Sequence, residues 1–186
     1  MLLHIVLAVL VAAVFVFISS SLVHMVFKWH SSDYKRLPDE QALRSALRTS
    51  AVEPGQYMTP FCADMKDMQS PEMQAQWKQG PVAVLYVMRN GVPNMGPTLG
   101  KWFALNVVVA ALVAHVIYVS MGIAVIDVHR LFHVAALTSF LAYAVGSVTS
   151  GIWKAQSTSS VIKDLLDALI YGAVSGAAFA WLWPTS

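Results

Sequence analysis

The chain has 186 residues, 57% hydrophobic and 12% charged, with a mean hydropathy of +0.60 and a net charge of +2. Soluble domains carry about a quarter charged residues, so the composition points to a membrane protein, and so small a positive charge leaves no footprint for nucleic acid. A lone cysteine, Cys62, excludes an internal disulfide and the multi-cysteine zinc patterns.

Hydropathy predicts an all-α membrane protein with four transmembrane helices and a small α+β cytoplasmic segment between helices 1 and 2. Residues 1–27 are the first span. Leu2–Phe27 holds no Asp, Glu, Lys or Arg, and about 20 apolar residues cross ~30 Å of hydrocarbon. The run has no basic start, exceeds the length of a signal-peptide core and shows no small-x-small cleavage pattern before Lys28. It reads as a retained anchor.

Residues 28–101 form the extramembrane segment. Leu37-Pro38-Asp39-Glu40 starts a helix, with proline and acids suited to a first turn; Leu43, Ala46 and Leu47 give it one apolar face until about Thr49. Pro54-Gly55 is a turn. Gln56–Thr59 and Val82–Met88 read as strands, and Asn90-Gly91 as a turn. Between the strands, FCADMKDMQSPEM (Phe61–Met73) gathers Cys62, Met65, Met68 and Met73. Soft sulfur suits copper, but Ser70-Pro71-Glu72 is an N-cap, a first-turn proline and a first-turn acid. That predicts a helix over 71–79 with Met73 and Trp77 on one face, and methionine packing is the simpler reading of the stretch.

Residues 102–186 form a three-helix transmembrane region with spans at 102–126, 131–153 and 165–183. Counted in depth at ~1.5 Å per residue, His115, Tyr143 and Tyr171 all lie about 16–18 Å from one membrane face, which predicts an intramembrane polar cluster. Asn106, Ser147 and Asp167 form a second plausible set near the other face, with Asp167 expected in a first turn where the helix dipole favours a carboxylate. At the outer edge, His4, Asp127, His129 and His133 are candidate ligands for zinc or copper, His129 and His133 standing one helical turn apart; Asp127 serves equally well as an N-cap. No cofactor is required by any motif. A bis-histidine haem would need two histidines on different helices at one depth, and His115 has no such partner. Small residues recur every fourth position at Ala168, Gly172, Gly176 and Ala180, and again at Ala142, Gly146 and Ser150, as helix packing in lipid requires.

The segments GQYMTP (55–60), SPEM (70–73), KQGPV (78–82), PNMG (93–96), WF (102–103) and DALIYGAVSGAAFAWLWP (167–184) resemble a family of small, functionally uncharacterised bacterial inner-membrane proteins. The resemblance implies a multi-pass inner-membrane topology and no particular chemistry. With no catalytic motif and pronounced packing stripes, the expected role is a non-catalytic accessory or assembly subunit of a larger membrane complex, its partners being lipid and other membrane subunits. A metal- or cofactor-handling protein is the alternative, and a small transporter a third reading; transporter sites favour broken helices, and the four predicted spans contain no proline.

Lys28, Lys35, Arg36, Arg44, Arg48, Lys66, Lys78, Arg89 and Lys101 lie between spans one and two, Lys154 and Lys163 between three and four, and Arg130 between two and three. The positive-inside rule then places the first and third connections in the cytoplasm and both termini outside. A reporter fused after Ser186 is expected to read as non-cytoplasmic; a cytoplasmic signal would reverse this orientation.

Overall fold

In a computed structural model of the protein, residues 1–125 and 127–184 are described. Ile126, which ends the predicted second span, and Ser186 lie outside the described residues. The chain divides into two units, Met1–Tyr34 with Asn94 onward, and Lys35–Pro93.

The first unit contains four long apolar helices, each long enough to cross a membrane: α1 (Leu2–Ser21, extended by a π-helical turn Leu22–Phe27), α4 (Met95–Met121), α5 (Val128–Trp153) and α6 (Thr158–Leu182). Side-chain caps set their starts. Asn94 accepts from Gly96 N, Asp127 from Arg130 N, and Ser157 from Ser160 N, each satisfying an orphan amide of a first turn. Asp127 is thus occupied as the N-cap that its position suggested. The boundaries depart from hydropathy most at α4 and α6. Helix α4 begins before its apolar run and stops at Gly122, whose φ of +82° turns the chain out of the helix. Helix α6 begins seven residues before the predicted 165, because a capped polar turn carrying Lys163 and Asp164 precedes the apolar stretch.

The helices close into a bundle in which α6 packs on α5 and α1, and α4 on α1 and α5. The core is built from small and branched residues: Ala8, Ala12 and Ala13 of α1, Val113 and Ile117 of α4, Leu131 and Ala135 of α5, Ala178 and Phe179 of α6. Between α5 and α6 the buried Ser139 hydroxyl donates to Ser175 Oγ at 2.8 Å, an interhelical bond of the kind that lipid favours.

The Ala168–Gly172–Gly176 stripe of α6 is buried and faces α5. A Cβ on Gly172 would lie 2.7 Å from the Ala136 carbonyl oxygen, and one on Gly176 would lie 2.9 Å from Ala136 Cβ and 3.0 Å from the Phe132 carbonyl. The seam on α5 is therefore Phe132, Ala136 and Phe140. The Ala142–Gly146–Ser150 stripe is not part of it: Ala142 and Gly146 are exposed, and nothing lies within 4 Å of a Cβ placed on Gly146.

The second unit holds helices α2 (Glu40–Thr49) and α3 (Pro71–Gln79) and strands β1 (Gly55–Thr59) and β2 (Ala83–Val87). Asp39 caps α2, and Ser70 caps α3 with Pro71 at its first turn. The strands pair antiparallel from Gly55 with Val87 to Thr59 with Ala83. Met73 and Trp77 share the partly buried face of α3, as the i, i+4 spacing requires. The remaining sulfurs are not drawn together. The Cys62 thiol donates to the Asp64 carbonyl at 3.0 Å, and Met65 is 78% exposed.

Replacing Gly176 with Leu is expected to destabilise the isolated protein by about 1–3 kcal/mol through overpacking against backbone, measured by denaturant unfolding in detergent. Gly146→Leu is expected to leave the same transition unmoved; equal effects from both would refute the assignment of the seam.

Candidate functional site

Two serines end the regular part of α1. The Ser20 and Ser21 hydroxyls both donate back to the Phe17 carbonyl at 2.9 Å, a pattern that loosens and bends helices. The helix then relaxes into the π turn Leu22–Phe27, a departure that concentrates at functional sites. Lys28 adopts a left-handed φ of +53°, and a 3-10 turn, Trp29–Ser32, follows. A non-glycine residue holds that conformation only where its surroundings over-determine it. The reversal lays the His24 and His30 rings face to face, 4.5 Å between centroids and 5° between planes.

Both rings are fixed at Nδ1. His24 Nδ1 lies 3.0 Å from the Ser20 carbonyl, which only accepts, so His24 donates from Nδ1. His30 Nδ1 lies 2.6 Å from Asp33 Oδ2. Asp33 is anchored from α6: the Lys163 ammonium donates to Asp33 Oδ1 at 2.6 Å and to Ser32 Oγ at 2.8 Å. Burial by itself would raise the Asp33 pKa, but the bonds from Lys163 and His30 outweigh it and hold the carboxyl below its ordinary value. For His30, burial by itself would lower the pKa; the hydrogen bonds and charges of Asp33 and Asp167 outweigh it and raise it.

Both Nε2 atoms converge on Asp167. His30 Nε2 stands 3.0 Å and His24 Nε2 3.7 Å from Asp167 Oδ2, with the Tyr171 hydroxyl at 3.5 Å. Asp167 lies in the third turn of α6, not in the first as predicted, because α6 starts at Thr158. The amide dipoles of the helix end therefore do not account for this carboxylate; the histidines do. Its side chain is 6% exposed, and Oδ1 is buried with no partner.

Next to this cluster, Trp102, Tyr143 and Tyr171 form an aromatic triad with centroids 5.3–6.2 Å apart. Their polar atoms are engaged: Trp102 Nε1 donates to Ser20 Oγ at 2.8 Å and the Tyr143 hydroxyl to Asn106 Oδ1 at 3.0 Å. The triad borders a cavity of about 540 Å³ to which α1, α4, α5 and α6 all contribute; His24, Asp164 and Asp167 are among its lining residues, and Ser147 also lines it.

Of the predicted intramembrane cluster, Tyr143 and Tyr171 meet and His115 does not join them. His115 is exposed. It follows the fully buried Asn106 by nine residues, which at about 100° per residue is half a revolution to the opposite face of α4. Asn106 takes its place beside Tyr143. At the outer edge, His129 and His133 approach to 3.2 Å between Nε2 atoms and are exposed, while Asp127 is engaged as a cap and His4 is exposed on α1. Neither His4 nor Asp127 joins them in a three-ligand group. Among the described residues, the group of His, Cys, Asp and Glu with converging donor atoms is His24, His30 and Asp167. Sequence reading missed its histidines. The signal was present as H-x5-H-x2-D beginning in the last residues of the first span, but a spacing of six shares no helical face until the π turn and the chain reversal bring the rings together.

Comparison with protein-family models, curated proteins and solved structures finds no match to the chain.

In a double-mutant cycle, Tyr143→Phe and Asn106→Leu are expected to couple by about 1 kcal/mol, the scale of interhelical hydrogen bonds in membranes, read from unfolding in detergent. His115→Leu is expected to couple to neither; coupling there would return His115 to the cluster.

Proposed function

We propose that the protein is a ligand-handling, multi-pass membrane protein of the bacterial inner membrane whose working site is the cavity between its spanning helices. The observation that carries this reading is the cavity itself, about 540 Å³, with walls from all four spans and with His24, Asp164 and Asp167 in its lining. Ligand sites are concave, mostly apolar, and carry a few converging polar groups; the size and lining here match that description. The ligand class that suits it is a membrane-soluble amphiphile. Its apolar body would lie against Met25, Leu99, Trp102 and Leu105, and its polar head would reach His24 and Asp167. The concentration of basic residues between α1 and α4 supports a cytoplasmic location for that connection.

A second reading, an accessory subunit of a larger membrane complex, retains one supporting observation. Gly146 is exposed on α5 with open space around it, a surface that a neighbouring helix could approach closely. The α6 stripe no longer supports that reading, since α5 already covers it.

Ala142 lines the cavity from α5. Native mass spectrometry of the purified protein is expected to show a retained amphiphile in the wild type that is lost in a folded Ala142→Trp variant. The same bound species in both would contradict the cavity reading, and a heterologous membrane subunit retained through Gly146 would favour the second.

A further inference from the structure

We propose that His24 Nε2, His30 Nε2 and the Asp167 carboxylate bind one divalent first-row transition-metal ion of the Zn²⁺ class. The donor atoms all lie within 4.8 Å of one another, with Nε2-to-Oδ2 separations of 3.0 and 3.7 Å. A tetrahedral ion with bonds of about 2.0–2.1 Å holds its donors roughly 3.3 Å apart. The stacked rings, 5° from parallel, would have to tilt toward one another for both Nε2 atoms to reach one ion.

The outer partners are those a metal site needs. Ligating histidines donate their second ring N–H to a carboxylate or backbone carbonyl, which fixes the tautomer and turns the other nitrogen toward the ion. His24 has the Ser20 carbonyl and His30 has Asp33, itself held by Lys163. With both Nδ1 atoms donating, both Nε2 atoms face a carboxylate oxygen, the position that a proton on His30 or a metal ion would occupy. Independently of the histidines, Asp167 Oδ1 is buried with no hydrogen-bond partner in a side chain 6% exposed, although buried carboxylate oxygens rarely go unpartnered. It stands as a second donor on the same group.

Charge and donor type narrow the ion. Asp33, Asp164 and Asp167 against Lys163 make the surroundings of the rings rich in carboxyl groups, which suits a divalent cation. Two imidazoles and one carboxylate suit zinc, iron, cobalt or nickel. They do not suit calcium or magnesium, which take all-oxygen sites, and no thiolate is present to select Cu(I). Three protein ligands leave a coordination position for an outside molecule, as in catalytic rather than structural zinc sites. Two of them, His24 and Asp167, line the cavity, so that position is available to a donor atom within it. The ion needs no amphiphile to bind, so this proposal stands or falls separately from the cavity ligand.

The test uses the full chain in detergent, stripped by chelator and titrated with Zn²⁺ and with Co²⁺ as its spectroscopic substitute. The wild type is expected to take one ion per chain and to show Co²⁺ ligand-field absorption. His24→Gln, on a ring 51% exposed and therefore tolerant of change, and the near-isosteric Asp167→Asn are each expected to weaken binding by about tenfold or more and to alter the absorption. Asp33→Asn, which touches no metal position, is expected to weaken it about 10–100-fold. The His129→Ala/His133→Ala variant is expected to keep both ion and spectrum. Failure of the wild type to take either ion would overturn the site and leave His30 as a protonated bridge between carboxylates. Binding unchanged by His24→Gln, or lost with the His129/His133 pair, would overturn it as well.

Discussion

A carboxylate placed ten residues into an apolar helix is the constraint around which one end of this bundle is arranged. Charged groups in membrane spans are expensive unless paired or hydrated, and Asp167 is nearly sealed from solvent. Its partners come from the segment that leaves α1. The serines that loosen the helix, the π turn, the left-handed Lys28 and the 3-10 turn are successive steps in carrying His24 and His30 back onto α6. Lys163, one turn before Asp167 on α6, holds Asp33 and through it His30. The two elements are thus tied by the Lys163–Asp33 ion pair and by the contacts of both histidines with Asp167, as well as by apolar packing.

Helix α6 serves two purposes on two faces. One presents Gly172 and Gly176 to α5, where the approach is so close that an added Cβ would meet the facing helix at 3.0 Å or less. The other presents Asp167 and Tyr171 to the cavity end of the bundle. This division explains why α6 is the most buried of the spans. It also changes how the small-residue periodicity is understood. The α6 stripe, read as helix packing with its partner open, is used within the chain, and Ala142 and Gly146 of the comparable α5 stripe remain on the surface.

Much of the fold was legible in the sequence because local chemistry sets it. Ser70-Pro71 and Asp127 act as the caps their types predict, and the apolar runs locate all four spans. The errors fall where hydropathy competes with capping: the polar first turns of α4 and α6 belong to the helices because Asn94 and Ser157 cap them, whatever their hydropathy. The site was less legible for two reasons. Depth along a helix was counted without its azimuth, so His115 was grouped with tyrosines that it faces away from, while Asn106 on the correct face was assigned elsewhere. And the His24–His30–Asp167 group depends on an irregular turn and on a contact across 137 residues of sequence, neither of which any periodicity encodes.

The central claim is that His24 and His30 are held as Nδ1–H donors with Nε2 directed at Asp167. Nitrogen-15 NMR of histidine-labelled protein reads ring protonation and coordination directly, with each resonance assigned by single substitution. The account predicts a neutral Nδ1–H tautomer for His24, and Nε2 resonances of both His24 and His30 that shift together on adding one equivalent of Zn²⁺, while those of His4, His115, His129 and His133 stay in place. A His24 ring protonated at Nε2, or Nε2 signals of His24 and His30 that do not respond to Zn²⁺, would contradict it.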